Sequence, residues 1–286
     1  MTISVVRKPV DMERLRGDSW GLVPTMGALH AGHLTLISRA AAENDAAVVS
    51  IFVNPTQFGN ANDLSRYPRN LDQDVDMAEA AGASIIYAPE AQTVYPPGFS
   101  TWVDPGALAE RWEGRSRPGH FRGVATVVTV HLNTVQPRRS YFGEKDFQQL
   151  EVIRRMHRDL HLPGQVIASP TVRDMDGLAL SSRNARLSPA GRATAQRIPR
   201  ALAAMIESAQ AGIAATEDLI SVGKQMLDHP EIHLDYLAIV DSGTLEPIML
   251  ISDSCRIILA VEIDGVRLID NAAIALPTDP CAGRAA

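Results

Sequence analysis

The sequence predicts an α/β protein: a parallel sheet with helices between its strands, followed by a smaller α+β segment. Three observations carry this. Trp20-Gly21-Leu22-Val23 and Val48-Val49-Ser50-Ile51-Phe52-Val53 are apolar runs, the pattern of strands covered on both faces. Between them Leu34, Ile37 and Ala41 recur at helical spacing, which gives strand, helix, strand. After about residue 172 the chain turns to an Ala-rich helical stretch and then to strands joined by Asp264-Gly265, a hairpin signal. This places a first domain at residues 1–171 and a second at 172–286.

In order, Ile3 to Val6 reads as a short strand and the polar stretch to Gly17 as a helix. After the strand at Trp20–Val23, a helix starts near Gly32 or His33. Asn54 to Gly59 is the turn that ends the Val48–Val53 strand. Asp72 to Ala81 is a helix stopped at Gly82, with a strand at Ile85–Tyr87. Residues 89–123, rich in Pro, Gly and Arg, predict a long lid or binding loop. The period of Val124, Val127, Val128, His131, Leu132 and Val135 predicts a helix, with His131 at the edge of the core. A strand at Ser140–Phe142 runs into a helix with Phe147, Leu150, Ile153, Met156 and Leu160 on one side, and Gln165–Ala168 makes another strand. Ser188-Pro189 is an N-cap with proline at the first helical position, opening one helix toward Gly212. A second helix starts at Thr216, followed by strands at Leu234–Val240, Arg256–Ile263 and Val266–Ile269. From Pro277 the composition predicts a poorly ordered tail.

Whole-chain properties exclude several classes. A net charge of −6 and a pI near 5.7 argue against a general nucleic-acid binder, which carries a basic excess. No apolar run has the length of a membrane span and the N-terminus lacks a secretory pattern, so a cytoplasmic protein is expected. Cys255 and Cys281 are too few for a disulfide framework.

The chemistry concentrates at strand-to-helix junctions. Val23-Pro24-Thr25-Met26-Gly27-Ala28-Leu29-His30-Ala31-Gly32-His33 is a strand, a glycine-bearing turn and a helix start with two imidazoles three residues apart. Small residues admit close approach of a ligand, and the helix start offers free N–H groups with partial positive charge, which suits a polyphosphate. Two such histidines would also serve as a surface pair or half of a metal site, but no Cys or Glu lies at zinc-ligand spacing. Ligands of parallel sheets sit outside the carboxyl ends of the strands, which brings Gln57 to the same rim as His30. At the junction Gly143-Glu144-Lys145-Asp146, Lys145 offers a point charge to a phosphate, and Gln149 lies one turn into the following helix. Leu180-Ser181-Ser182-Arg183 joins two hydroxyls to a guanidinium whose fork matches phosphate oxygens. Each alternative is plain: a solvated glutamine, a common charged turn, a serine-rich linker.

Taken together, Pro24–His33, Phe52–Phe58, Tyr67-Pro68-Arg69, His120–Val124, Phe142–Gln149 and Asp176–Asn184 resemble, in order along the chain, the pantothenate synthetase (pantoate–β-alanine ligase) family. The carboxyl-terminal third matches more loosely. The resemblance implies a Rossmann-like nucleotidyltransferase domain, a smaller lid-like domain and a homodimer. It also implies a two-step reaction: ATP and pantoate give pantoyl adenylate and pyrophosphate, and β-alanine then displaces AMP. By the same resemblance His30, His33, Lys145 and Arg183 are the catalytic residues, with His33 a proton donor. ATP would be bordered by Met26, Gly27, Ala28, Leu29, His30, Ala31, Gly32, His33, Gly143, Glu144, Lys145, Asp146, Val172, Leu180, Ser181, Ser182 and Arg183. Gln57, Gln149, Pro24 and Met26 would face pantoate and β-alanine, and Mg²⁺ would accompany the phosphates, with Asp74 as the candidate ligand.

Three departures stand out. Leu180 replaces a frequent Met, Thr56 replaces a larger apolar residue, and Gln73 sits between Asp72 and Asp74 where relatives often carry adjacent acids. Rival readings are another His-x-Gly-His nucleotidyltransferase, an aminoacyl-tRNA synthetase-like protein and a non-catalytic nucleotide sensor. Neutral Gln57 and Gln149 argue against a phosphate-ester substrate, and the acidic charge against tRNA.

Overall fold

The alternation of strand and helix closes into a six-stranded, all-parallel sheet of order β1-β4-β3-β2-β5-β6. Its strands are β1 (Ser4–Val6), β2 (Trp20–Thr25), β3 (Ala46–Ile51), β4 (Ile85–Tyr87), β5 (Arg139–Gly143) and β6 (Gln165–Ser169). The helices are α1 (Pro9–Leu15), α2 (Ala31–Glu43), α3 (Ala61–Arg66), α4 (Leu71–Ala80), α5 (Ala91–Val94), α6 (Glu113–Ser116), α7 (His120–Val135) and α8 (Phe147–Asp159). This is the Rossmann-like α/β class expected. The computed structural model describes residues 3–15, 17–59 and 61–275, without the side chains of 61–63. The predicted tail from Pro277, with Cys281, lies outside them.

The chain forms two units. The first holds the chain through Val172 together with Leu180–Ser182; the second holds Arg173–Ala179 and the chain from Arg183. In the first, Val23, Ile37, Val49, Ile86 and Tyr141 form a fully buried core between the sheet and its helices. The second unit packs α9 (Pro189–Ala195), α10 (Arg197–Gln210) and α11 (Thr216–Leu227) on an antiparallel sheet of β7 (His233–Asp241), β8 (Cys255–Ile263) and β9 (Val266–Ala273). Asp264 and Gly265 both have positive φ, the hairpin geometry their identity predicts.

Four expectations need correction. The helix from Ser188 toward Gly212 is two helices, α9 and α10, because Pro199 has no N–H for the turn before it and tolerates only the first turn of a new helix. The stretch 89–123 is not one irregular loop: it contains α5, α6 and the start of α7. Gln148 pins part of it, accepting from Glu113 N (3.0 Å) and donating to Leu108 O and Arg111 O (both 2.9 Å). Leu160, placed on one helix side with Phe147 and Ile153, lies just past the end of α8 as its C-cap and stays 49% exposed. His131 lies inside the core rather than at its edge, its ring edge-on to Phe52 and Tyr87.

Candidate active site

β2 lies where the strand order reverses, with β3 on one side and β5 on the other. Trp20 O accepts from Arg138 N while Thr25 O accepts from Phe52 N, so by alternation Pro24 faces β5. Pro24 has no N–H to give, and the β2–β5 ladder ends at Leu22 and Ser140. The carboxyl ends of the two strands are thereby left unladdered at the switch point, where a sheet of this class receives its ligand.

The turn after β2 is tightly specified. Thr25 Oγ1 donates to Ser50 O (2.8 Å) and accepts from Gly27 N (3.2 Å). Gly27 and Ala28 are both left-handed, with φ of 79° and 50°. The next two amides point at the carboxylate of Asp74: Ala28 N to Oδ2 (3.0 Å) and Leu29 N to Oδ1 (2.8 Å). His30 occupies the N-cap position in extended conformation, so α2 begins at Ala31, slightly earlier than the sequence suggested. The His30 side chain makes no cap hydrogen bond to the helix's first amides.

The two imidazoles lie with centroids 4.0 Å apart and planes tilted by 33°. Burial, then the neighbouring His30 ring, holds His33 down to about 3, against a smaller opposing pull from Asp146. Burial and the Lys145 ammonium likewise lower His30. Both rings are therefore neutral at pH 7. Both Nδ1 atoms are buried without a hydrogen-bond partner among the described residues. Lys145 and Asp146, in the turn Glu144–Asp146 after Gly143 of β5, act on both imidazoles, so the ends of β2 and β5 converge as expected. Gln149 is half-buried in the first turn of α8.

Gln57 reaches the same turn from the end of β3. It is buried; its Nε2 donates to Met26 Sδ (3.2 Å) and its Oε1 accepts from Asn54 Nδ2 (2.9 Å). His120 Nδ1–H donates to Gln57 O (2.9 Å), joined there by Arg117 Nη2 (3.3 Å). Asn54 Oδ1 accepts from Tyr95 OH (2.8 Å) and from Thr56 Oγ1 (2.9 Å). The unusual Thr56 thus supplies a hydroxyl to the network instead of an apolar wall. Gly123 lets α7 lie on this turn: a Cβ there would fall 2.6 Å from Thr56 O. Sequence reasoning missed Asn54, Tyr95, Arg117, His120 and Gln148 as supports. The only signal was that Asn54, His120 and Gln148 lie inside the matched segments.

Val172, Leu180, Ser181 and Ser182 are half-buried in the first unit, where Leu180 N donates to Val172 O (3.0 Å). Arg183 belongs to the second unit, in the short turn Ser182–Arg186. In that unit Arg173 forks onto Asp270 of β9 (2.7 and 2.9 Å).

Asp74, the candidate metal ligand, is engaged by the turn after β2. It is 3% exposed and each of its oxygens already accepts a backbone N–H. Gln73 serves the cap of α4, its N donating to Asn70 Oδ1 (3.3 Å) and its Oε1 accepting from Asn70 Nδ2 (3.1 Å). Among the described residues no group of three or more His, Cys, Asp or Glu is arranged to hold a metal ion, and no helix is long and apolar enough to cross a membrane.

A family model described as pantoate–β-alanine ligase matches residues 1–273. A pantothenate synthetase of Thermus thermophilus is 51% identical over 252 residues, covering 88% of this chain and 91% of that one. One of Rhizorhabdus wittichii is 47% identical over 272 residues, covering 95% and 96%. The solved Thermus thermophilus pantothenate synthetase superposes with a TM-score of 0.91 at 46% identity, covering 96% of this chain and all (100%) of that one. A Francisella tularensis pantoate–β-alanine ligase, solved with β-γ ATP and β-alanine, gives 0.78 at 34% identity, covering 95% and 98%. The chain belongs to the pantoate–β-alanine ligase family.

Proposed function

We propose that the chain condenses pantoate with β-alanine in two steps joined by a pantoyl adenylate. In the first, a pantoate carboxylate oxygen attacks the α-phosphorus of ATP and the bond to pyrophosphate breaks. In the second, the β-alanine amine attacks the acyl carbon, AMP leaves with the bonding electron pair, and the amine loses a proton. The observation that supports this best is the convergence of two neutral imidazoles and Lys145 after a turn whose Met26 Sδ, a weak acceptor, is what Gln57 Nε2 meets among the described residues.

The division of labour follows from charge. Negative charge builds on the phosphates, and His30, His33 and Lys145 supply donors there, with Ser181, Ser182 and Arg183 assigned to the same phosphates from their motif. A carboxylate nucleophile is weakened by a cation in direct contact, so neutral Gln57 and Gln149 suit its orientation. A substrate oxygen is a better acceptor than Met26 Sδ, and Gln57 stays aimed because Asn54 holds its other end (2.9 Å). Gly143, Glu144 and Asp146 border the ribose, and Val172 and Leu180 the adenine. Bound with the nucleotide, Mg²⁺ would supply charge neutralisation at the phosphates; the described carboxylates form no cage for it. We further propose a cytoplasmic homodimer, which sedimentation analysis of the purified chain checks.

Incubation with ATP, Mg²⁺, pantoate and β-alanine, each omitted in turn, tests the function. Pyrophosphate formed with pantoate but without β-alanine is the expected result. ADP as the product, or turnover indifferent to pantoate, overturns it.

A further inference from the structure

We infer that Asp74 is a positioning residue for this reaction: its carboxylate fills the anion-binding concavity made by the Ala28 and Leu29 amides and so fixes the turn that carries the two imidazoles. The inference rests on the proposed function only for its catalytic consequence; the clasp itself is geometry.

Successive backbone N–H groups in a tight turn can point at one spot and make a concavity, a nest, that attracts anions. Gly27 and Ala28, at φ of 79° and 50°, make such a turn, and the Ala28 and Leu29 amides share one occupant. In a nucleotide site the ready occupant of a nest is a phosphate. Here the occupant is internal: a buried carboxylate brought from α4, 46 and 45 positions along the chain from the amides it accepts. Both of its oxygens are used, at 3.0 and 2.8 Å. Gly27 is part of the device, since a Cβ there would stand 2.7 Å from Asp74 Oδ2. Ala28 pays for its left-handed backbone only while something holds the turn in place. His30 follows Leu29 directly and the α2 helix begins at the next residue, so fixing two amides fixes the entry of that helix and both rings. The clasp also removes these amides from the phosphate-binding set suggested by the sequence, leaving the first turn of α2, which the His30 side chain does not cap, to meet the nucleotide.

The test uses amide exchange and kinetics on the full chain. In the native protein the Ala28 and Leu29 amides are expected to be protected well beyond open-loop rates; exchange at open-loop rates overturns the clasp, whatever the enzyme catalyses. D74N keeps the side-chain volume but turns a donor toward one of the two N–H groups. It is expected to lose that protection and to lower kcat about tenfold to a hundredfold, the scale of a misplaced catalytic group, with the KM for pantoate within about twofold. In D74A, added formate is expected to restore kcat saturably by filling the nest, an effect a purely structural loss would not show. G27A and D74A are expected to be non-additive in kcat. D74N turning over within about twofold of native, or D74A unresponsive to formate, overturns the positioning role. Absence of pantothenate formation by the native chain would instead remove the functional reading and leave the clasp standing.

Discussion

The rings of His30 and His33 lie 4.0 Å apart, centroid to centroid, with Lys145 acting on both. A second positive charge in that space is strongly opposed, so the pair works as neutral donors. The kcat/KM for ATP, which reports the free enzyme, should show no imidazole limb at or above pH 6.5, because His30 is lowered from 6.5 and His33 to about 3. An acid limb centred above pH 6.5 that vanishes in H30N would contradict this.

His33→Ala removes one donor aimed at the developing charge. ATP binding, followed by calorimetry, should persist, while pantoate-dependent pyrophosphate release falls about a hundredfold or more, the usual effect of losing such a donor. Near-native turnover would take His33 out of the chemistry.

Tyr95→Phe removes the donor to Asn54 Oδ1 (2.8 Å) but leaves Thr56 Oγ1 in place (2.9 Å). The KM for pantoate should rise several-fold with that for ATP unchanged, alongside a stability loss of about 1 kcal/mol. A matched rise in both KM values would show that the network does not serve the Gln57 side specifically.

His131 is held down to about 4 by burial, against 6.5 in an unfolded chain. The unfolded state binds the proton more readily, so this residue's stability term is fully present above pH 6.5 and shrinks as pH falls from 6.5 toward 4. The span is ~3 kcal/mol. Urea titrations of the native chain and H131L across that window should show a shallower pH dependence in the variant; parallel curves would rule the effect out.

Arg173→Ala should destabilise the second unit by about 3 kcal/mol, because it strands the Asp270 carboxylate, whose side chain is 1% exposed. Thermal unfolding monitored in that unit checks it. Lysine should recover only part, since it cannot form the fork. A loss under ~0.5 kcal/mol would place the carboxylate's support elsewhere.

The parts of the fold legible in the sequence were those set by local pattern. The apolar run at Val48–Val53 and the Ser188-Pro189 cap acted where their residue types dictate. Pro199 also carried a local signal: it sits in the first turn of α10, just past the break at Gln196. The illegible parts depend on chain brought from afar. Nothing near Asp74 announces that it will clasp amides at Ala28 and Leu29, nor does Gln148 announce that it pins the 108–113 segment. Leu160 shows the opposite limit: its spacing suits the buried face, but the helix has ended there. His30, His33, Lys145 and Gln57 were readable because strand-end turns gather side chains at one rim, whereas the supports behind Gln57 come from Asn54, Tyr95 and His120, far apart in sequence.

The most direct measurement follows oxygen. Pantoate carrying ¹⁸O in both carboxylate positions is turned over with ATP and β-alanine, and AMP and pantothenate are weighed by mass spectrometry. Attack of the carboxylate on the α-phosphorus predicts one labelled oxygen in AMP and one in the new amide. AMP free of label, or label recovered in inorganic phosphate beside ADP, would contradict it.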